Sequence, residues 1–325
     1  MNRILVTGGL GFIGINLIEH LLGNKNNFVY NIDKVSFVSN KRNFYNKNYK
    51  FLKLNICNKK KIYKFIKSYK PNKIFHLAAE THVDESIKKP EKFINSNILG
   101  TFNLLESVRV LMNKNLLGKN FLFIHVSTDE VYGSITKGYF NENSSYKPNS
   151  PYSASKASSD LLVRAWNRTF SIPVITTNCS NNYGPYQNVE KLIPKTIFCA
   201  LNNIPIPIYG NGKNQRDWIY VKDHVRALER LSRFGEIGQN YNIGGNKVIT
   251  NNFLIKKICK IIYENNLTSC NPKKLITYVK DRKGHDYRYA VNINKIYKQI
   301  KWKPKYCFED SLKKTVFWYW KSIIK

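Results

Sequence analysis

Acidic residues are scarce in this chain. Of 325 positions only 21 are Asp or Glu, against 53 Lys or Arg, for a formal charge of +32. Such an imbalance ordinarily points to an anionic partner, because lysines neutralise phosphates and release counterions. Here the lysines are spread along the sequence and travel with abundant Asn, Ile and Tyr, the residues that adenine- and thymine-rich codons specify. The charge therefore reads as compositional drift, and no nucleic-acid partner is expected, although the positive field favours an anionic substrate. Cysteine pairs are missing too. The six cysteines, Cys57, Cys179, Cys199, Cys259, Cys270 and Cys307, form no Cys-x-x-Cys pair and no regular framework, which argues against a disulfide scaffold and for reduced thiols. None of the six histidines has a His-Glu-x-x-His or comparable spacing, so no metal is expected. No apolar run is long enough to span a bilayer, and the chain opens on the strand-like Arg3–Thr7 without a charged leader or apolar export segment. A cytoplasmic protein with no membrane partner is the expectation.

What is present is enough apolar material for a substantial core: 42% of residues are hydrophobic. Short apolar runs alternate with helical patterns through the first half. Ile4–Thr7, Val29–Asp33, Ile74–Ala79, Phe121–Val126 and Val174–Asn178 read as strands; Ile13–Leu22, Lys59–Ser68 and Ile94–Leu111 have helical spacing. That rhythm predicts βαβ units in a Rossmann-type, doubly wound parallel sheet with helices on its faces. After Gly184-Pro185 the chain becomes punctuated by proline, which predicts a smaller substrate-binding region. The expected division is residues 1–185 for a dinucleotide-binding domain and 186–325 for the second, with Asp217–Val221 and Tyr241–Ile243 as segments that return to the first.

The run Thr7-Gly8-Gly9-Leu10-Gly11-Phe12-Ile13-Gly14 lies between the first strand and a helix. Glycines there permit a tight turn and close approach of backbone to a pyrophosphate at the helix N-terminus. Asp33 ends the next apolar run nineteen residues past Gly14, where a carboxylate accepts hydrogen bonds from an adenosine ribose. Together these predict NAD rather than its 2′-phosphorylated form, although Lys34 beside Asp33 is compatible with a phosphate. The small residues of His76-Leu77-Ala78-Ala79-Glu80-Thr81 suit a backbone lying against the dinucleotide, or simple packing at a strand end.

Two further motifs carry chemistry. Ser127-Thr128-Asp129-Glu130-Val131-Tyr132-Gly133 follows an apolar run, so its two carboxyls fall at a strand's carboxyl end, where open α/β sheets place their ligands. Two neighbouring carboxyls in a partly dry site hold one proton more readily than none, which fits one acid and one base. Tyr152-Ser153-Ala154-Ser155-Lys156 puts a phenol and an ammonium four residues apart on one helix face, where the cation lowers the phenol's pKa.

Taken together these residues resemble the extended short-chain dehydrogenase/reductase family, most nearly its dTDP-glucose 4,6-dehydratase branch. The similarity runs almost end to end through His76–Asp84, Ser127–Gly133, Ser150–Asp160, Asn178–Tyr186, Arg216-Asp217-Trp218 and Asp281–His285. Epimerases of that family usually keep the Tyr and Lys but lack the carboxylate pair, so the pair points to elimination of water. The resemblance implies a hydro-lyase that oxidises C4 of dTDP-glucose with bound NAD, eliminates water across C5–C6 and returns the hydride to C6, in deoxysugar synthesis such as that of dTDP-rhamnose. By resemblance, Tyr152 takes the C4 hydroxyl proton, Lys156 lowers its pKa and holds the nicotinamide ribose, Thr128 bonds the ketone oxygen, Glu130 is the base at C5 and Asp129 the acid at C6. NAD is implied to contact Gly8, Gly11, Phe12, Ile13, Gly14, Asp33, Lys34, Asn55, Ile56, Leu77, Ala78, Ala79, Ser96 and Asn182 as well as Tyr152 and Lys156. For the nucleotide sugar the implied set is Thr81, Thr128, Asn181, Lys191, Leu192, Asn251, Asp281 and His285, with Arg216 and Arg282 on the diphosphate and Pro207, Ile208 and Tyr209 along the base. A homodimer through the helix beginning at Tyr152 is also implied. The sequence departs from the family at Asn55, often an Asp, at Glu85, often an Arg, and at Lys283, often a Pro. Rival readings are another sugar-nucleotide dehydratase or 4-epimerase, and a nucleic-acid-binding or scaffold protein on a dehydrogenase fold.

Overall fold

The computed structural model describes residues 2–36, 39–40, 42 and 44–324. In chain order the strands are β1 (Asn2–Thr7), β2 (Asn27–Asp33), β3 (Tyr49–Lys53), β4 (Lys73–His76), β5 (Leu122–Thr128), β6 (Val174–Cys179), β7 (Asn181–Tyr183), β8 (Ile206–Tyr209), β9 (Gln215–Tyr220), β10 (Asn240–Ile243), β11 (Val248–Thr250), β12 (Ile276–Val279) and β13 (Arg288–Tyr289). Seven of them form one parallel sheet in the order β10-β6-β5-β4-β1-β2-β3. This is a Rossmann-type doubly wound sheet. The order reverses between β1 and β4, and the crevice at that switch point is where such sheets bind ligands.

Both faces of the sheet are covered, which is why its strands are nearly continuous apolar runs. Along β1 the pleat sends Ile4 and Val6 to one buried cluster and Leu5 to another. The second cluster is closed by Ile62 and Ile66 of the helix Lys59–Tyr69 and by Leu104, Leu105 and Val108 of the helix Gly100–Asn113. The first continues through Ile206, Trp218, Leu254 and Leu312, so the later part of the chain shares one core with the sheet.

Local rules account for several boundaries. The helix Pro151–Phe170 starts with a capping box, Ser150 and Ser153 each serving the other's backbone N–H, and with proline in its first turn. It ends at Ser171, which takes a left-handed conformation at φ 55°.

Some expectations change. The strand expected over Ile74–Ala79 stops at His76, because Leu77 and Ala78 turn out to bond Thr7 through its carbonyl and hydroxyl. The helix expected over Ile94–Leu111 runs Glu91–Asn113 and contains a π-helical segment, Ile94–Leu99, a form concentrated at functional sites. Strand β10, which covers Tyr241–Ile243, joins the large sheet beside β6. By contrast β9, covering most of Asp217–Val221, does not; it centres a small sheet with β7, β11 and β13, while β8 pairs with β12.

Candidate active site

A cavity of about 1050 Å³ opens over the carboxyl ends of the large sheet, room for more than one small molecule. Every site residue named from the sequence lines it, whether drawn from the glycine turn, the Thr-Asp-Glu run, the Tyr-Lys helix or the later segments.

Its first end is made of backbone. Gly8 sits at φ +72°, and a Cβ there would lie 2.6 Å from Ala78 Cα and N; one on Gly14 would lie 2.4 Å from the Gly8 carbonyl oxygen. Glycine is thus required at both for the turn to lie against β4 and let the helix Phe12–Leu22 begin. That helix has no side chain capping its N-terminus, so its first N–H groups suit an anion. Asp33 is held at the end of β2 by the N–H groups of Leu10 (3.1 Å) and Val35 (2.9 Å), with lone pairs left for ribose hydroxyls. Lys34 turns to an ion pair with Glu80 and reaches Ser96 Oγ at 3.4 Å, so its charge is already matched. Asn55 Oδ1 accepts from Cys57 N (2.9 Å), and Ile56 is buried behind it. These residues fit a dinucleotide: a close-approach turn, an open helix end and a fixed carboxylate.

At the centre, β5 ends at Thr128 and passes into a 3-10 turn over Asp129–Tyr132. Thr128 Oγ1 accepts from Glu130 N and donates to Asp129 Oδ1, each at 3.3 Å. Asp129 is 1% exposed and its Oδ2 has no partner. Burial, then the neighbouring charges of Glu130 and Asp217, push its carboxyl well above the usual range. Glu130 is also raised by burial, but Arg282, Arg216 and Lys191 all pull it back down. Burial raises both carboxyls; Arg216 offsets part of the rise at each, while Arg282 and Lys191 act on Glu130 and Asp129 has Glu130 and Asp217 beside it.

The helix Pro151–Phe170 presents Tyr152, Lys156 and several small serines to the sheet. Lys156 Nζ donates to the Val126 carbonyl at 2.9 Å, and burial lowers its pKa. Tyr152 differs from the expectation of an acidified phenol: burial, with Glu130 and Cys179 beside it, pushes it well above its ordinary value. Burial is the main cause, and the phenol's charged neighbour is an acid while Lys156 is turned to a strand carbonyl.

The far end is made of side chains. Arg216 is buried, donates to the carbonyls of Gln215 (2.7 Å), Asp286 (2.9 Å) and Tyr287 (3.2 Å), and stacks on Tyr289 at 4.3 Å. Arg282 Nε is buried without a partner. Lys191 Nζ donates to Thr81 O (2.8 Å), and His285 Nδ1 lies 2.6 Å from Asp281 Oδ1. Asn182 is fixed by His224 Nδ1 (2.9 Å) and Ser180 O (2.9 Å), whereas Asn181 Oδ1 and Asn251 Oδ1 are buried and unpaired. Tyr209 reaches Asp84 at 3.4 Å. Leu192, Pro207 and Ile208 supply apolar wall. Of the departures, Glu85 pairs with Lys88 at 3.7 Å, and Lys283 lines the mouth.

The sequence reading missed Tyr289, Glu80 and Cys179. Nothing marks a lone tyrosine before folding. Cys179 lay inside a motif already singled out, and Glu80 follows the small residues after β4.

Comparison with known proteins agrees with this geometry. The family model described as GDP-mannose 4,6 dehydratase matches residues 5–315. A dTDP-glucose 4,6-dehydratase of Neisseria meningitidis serogroup B is 46% identical over 98% of this chain and 93% of its own length; one from Haemophilus influenzae is 46% identical over 98% of each. A double mutant of a dTDP-glucose 4,6-dehydratase from Streptomyces venezuelae, crystallised with NAD, superposes with a TM-score of 0.90 at 36% identity, covering 98% of this chain and 96% of that one. With its glycine turn, carboxylate pair and Tyr-Lys helix around one cavity, the chain belongs to the GDP-mannose 4,6-dehydratase family of extended short-chain dehydrogenase/reductases.

Proposed function

We propose that this chain is an NAD-dependent hydro-lyase that converts dTDP-glucose to dTDP-4-keto-6-deoxyglucose. The observation that carries the reading is the pair Asp129 and Glu130, both buried but unequally countered by cations, beside Tyr152 and Lys156 in one cavity. An epimerase has no use for two such carboxyls.

The glycine turn from Gly8 to Gly14, with Asp33, would hold NAD, which would supply a hydride acceptor for C4 of the hexose and a hydride donor for C6. Tyr152 takes the C4 hydroxyl proton in its phenolate form, which burial opposes here and the Lys156 cation one helical turn away favours, and Thr128 donates to the resulting ketone oxygen. The ketone makes the C5 proton acidic enough for a carboxylate to remove. Glu130, raised by burial but partly offset by Arg282, Arg216 and Lys191, is that base. Asp129, whose carboxyl burial and Glu130 push well above the usual range, gives its proton to the departing C6 hydroxyl, and water leaves. Glu130 then returns its proton to C5. The proton gained by Tyr152 equals the one lost by Asp129, so the count balances, and passing that proton from Tyr152 back to Asp129 resets the site. Arg282 and Arg216 bind the diphosphate, with Lys191 and His285 beside them, and Pro207, Ile208 and Tyr209 flank the base.

The chain acts as a homodimer: Leu161 and Phe170 of the Tyr-Lys helix and Ile94 and Leu99 of the neighbouring helical segment expose large apolar side chains. Its place is the cytoplasm; among the described residues no helix is long and apolar enough to cross a membrane. The working division is residues 1–185 for the cofactor and 186–325 for the nucleotide sugar, with β10 returned to the first.

Purified protein is incubated with NAD and dTDP-glucose, with UDP-, GDP- and CDP-sugars as controls, and loss of water is followed by mass spectrometry. Dehydration of the dTDP-sugar alone is expected. Turnover of a different nucleotide sugar, or none by folded, NAD-loaded protein, overturns the assignment.

A further inference from the structure

Behind the Tyr-Lys helix lies a buried carboxylate with no part in the proton steps above. Asp160 stands one helical turn past Lys156, at the spacing that puts Cβ atoms about 5–6 Å apart. It is 3% exposed. Its Oδ1 accepts from His125 Nε2 at 2.9 Å; its Oδ2 accepts from Tyr146 Oη at 3.1 Å and from Asn178 Nδ2 at 3.0 Å. A carboxylate so enclosed requires a compensating cation.

His125 does not supply it. That ring is wholly buried, and both burial and the Lys156 charge lower its pKa, so it stays neutral and acts as a donor only. Tyr146, Tyr132, Ser159 and Asn178 are neutral as well. The groups facing Lys156 from the packed elements are His76 on β4, His125 on β5, Cys179 on β6 and Asp160 on its own helix; Asp160 alone among these is a carboxylate. Asn178 spends its amide on Asp160 and also on the Thr128 carbonyl at 3.1 Å, so the same node ties down the strand end that carries Asp129 and Glu130.

Building on the function proposed above, we infer that Asp160 is a positioning residue for that reaction: the buried counter-charge that keeps Lys156 protonated in a dry site and, through Asn178, fixes the end of β5. Lys156 Nζ rests on one backbone carbonyl and no ion pair at contact distance joins it to Asp160, so the carboxylate acts on it through the dry space between them; a buried lysine without a counter-charge gives up its proton.

The test compares the parent with Asp160→Asn, Asp160→Ser and Asp160→Glu, all loaded with NAD. Melting temperature and bound NAD are recorded first, then the pH profile of kcat for dTDP-glucose. In the two uncharged variants the alkaline limb is expected to move down by about one pH unit or more, the size of shift an opposite charge at this range produces. In the Glu variant it returns toward the parent's position. A uniform fall in activity with the limb unmoved overturns the inference, as does a case in which neither uncharged variant folds while the Glu variant does, since the carboxylate is then structural alone. Failure of the parent to dehydrate dTDP-glucose is a different result: it removes the proposed function itself.

Discussion

At the cofactor end of the cavity the contacts come from main chain and from residues near each other in sequence, Gly8 to Gly14 and then Asp33, set by a strand, a turn and a helix start. At the substrate end Lys191, Arg216, Arg282 and His285 arrive from separate segments and depend on side chains reaching a common point. A site made of backbone is unforgiving at glycine but indifferent to most side chains. A site made of side chains loses affinity piece by piece. Between them, Asp129 and Glu130 lie adjacent in sequence yet differ because Arg282 and Lys191 of the substrate end act on Glu130, while Asp129 has Arg216 but also Asp217 and Glu130 beside it.

The largest effect falls on that junction. Asp129→Asn is expected to slow elimination by about 10²–10⁴-fold while C4 oxidation persists, seen as reduced cofactor accumulating at 340 nm in single turnover. Unchanged elimination sinks the acid role. The same substitution has a thermodynamic signature. The folded pKa of Asp129 is raised, so the folded state binds more protons than the unfolded one above the ordinary Asp value, and stability falls as pH rises through that window. Asp129→Asn removes this cost, so its melting temperature exceeds the parent's by a margin that widens with rising pH up to the folded pKa. A margin independent of pH contradicts the placement of the proton.

Gly8→Ala comes next. Both the positive φ and the 2.6 Å approach to Ala78 oppose a Cβ, which is expected to cost about 2–3 kcal/mol and most of the bound NAD, read by calorimetry and by the nucleotide released on denaturation. Retained NAD and stability break the backbone half of the comparison. Arg282→Gln tests the other half: loss of one charge-assisted contact raises KM for dTDP-glucose by about tenfold with melting temperature nearly unchanged. Equal losses in NAD content and KM contradict the separation of the two ends. The smallest effect is expected at Asn55→Asp. The present amide already accepts a bond from Cys57 N, so NAD affinity shifts by about threefold or less, measured by titration of stripped protein.

Legibility followed the same division. Strands β1, β2, β5 and β6 were readable because sheets buried on both faces use unbroken apolar runs, and the glycine turn was readable because only glycine fits its backbone. Strand β3 escaped notice: four of its five residues are exposed, as befits an edge, and it has no apolar run to announce it. Strand β9 was visible as a segment but not as the centre of a small sheet, since partner choice depends on where β7, β11 and β13 arrive. The motif residues pointed to the cavity, yet Tyr289 under Arg216 and the Glu80 partner of Lys34 carried no pattern of their own.

By itself the sequence determined the chemistry available to this protein: which backbone positions tolerate no side chain, which strand ends carry acids, and which helix face carries phenol and ammonium, because these are set by spacing over a few residues. Only the tertiary structure decided the charge each group experiences. It buried Asp129 beside Asp217, brought Arg282 and Lys191 to Glu130, turned Lys156 to Val126 and left Tyr152 beside an acid, because pKa values depend on burial and on neighbours brought together from distant parts of the chain.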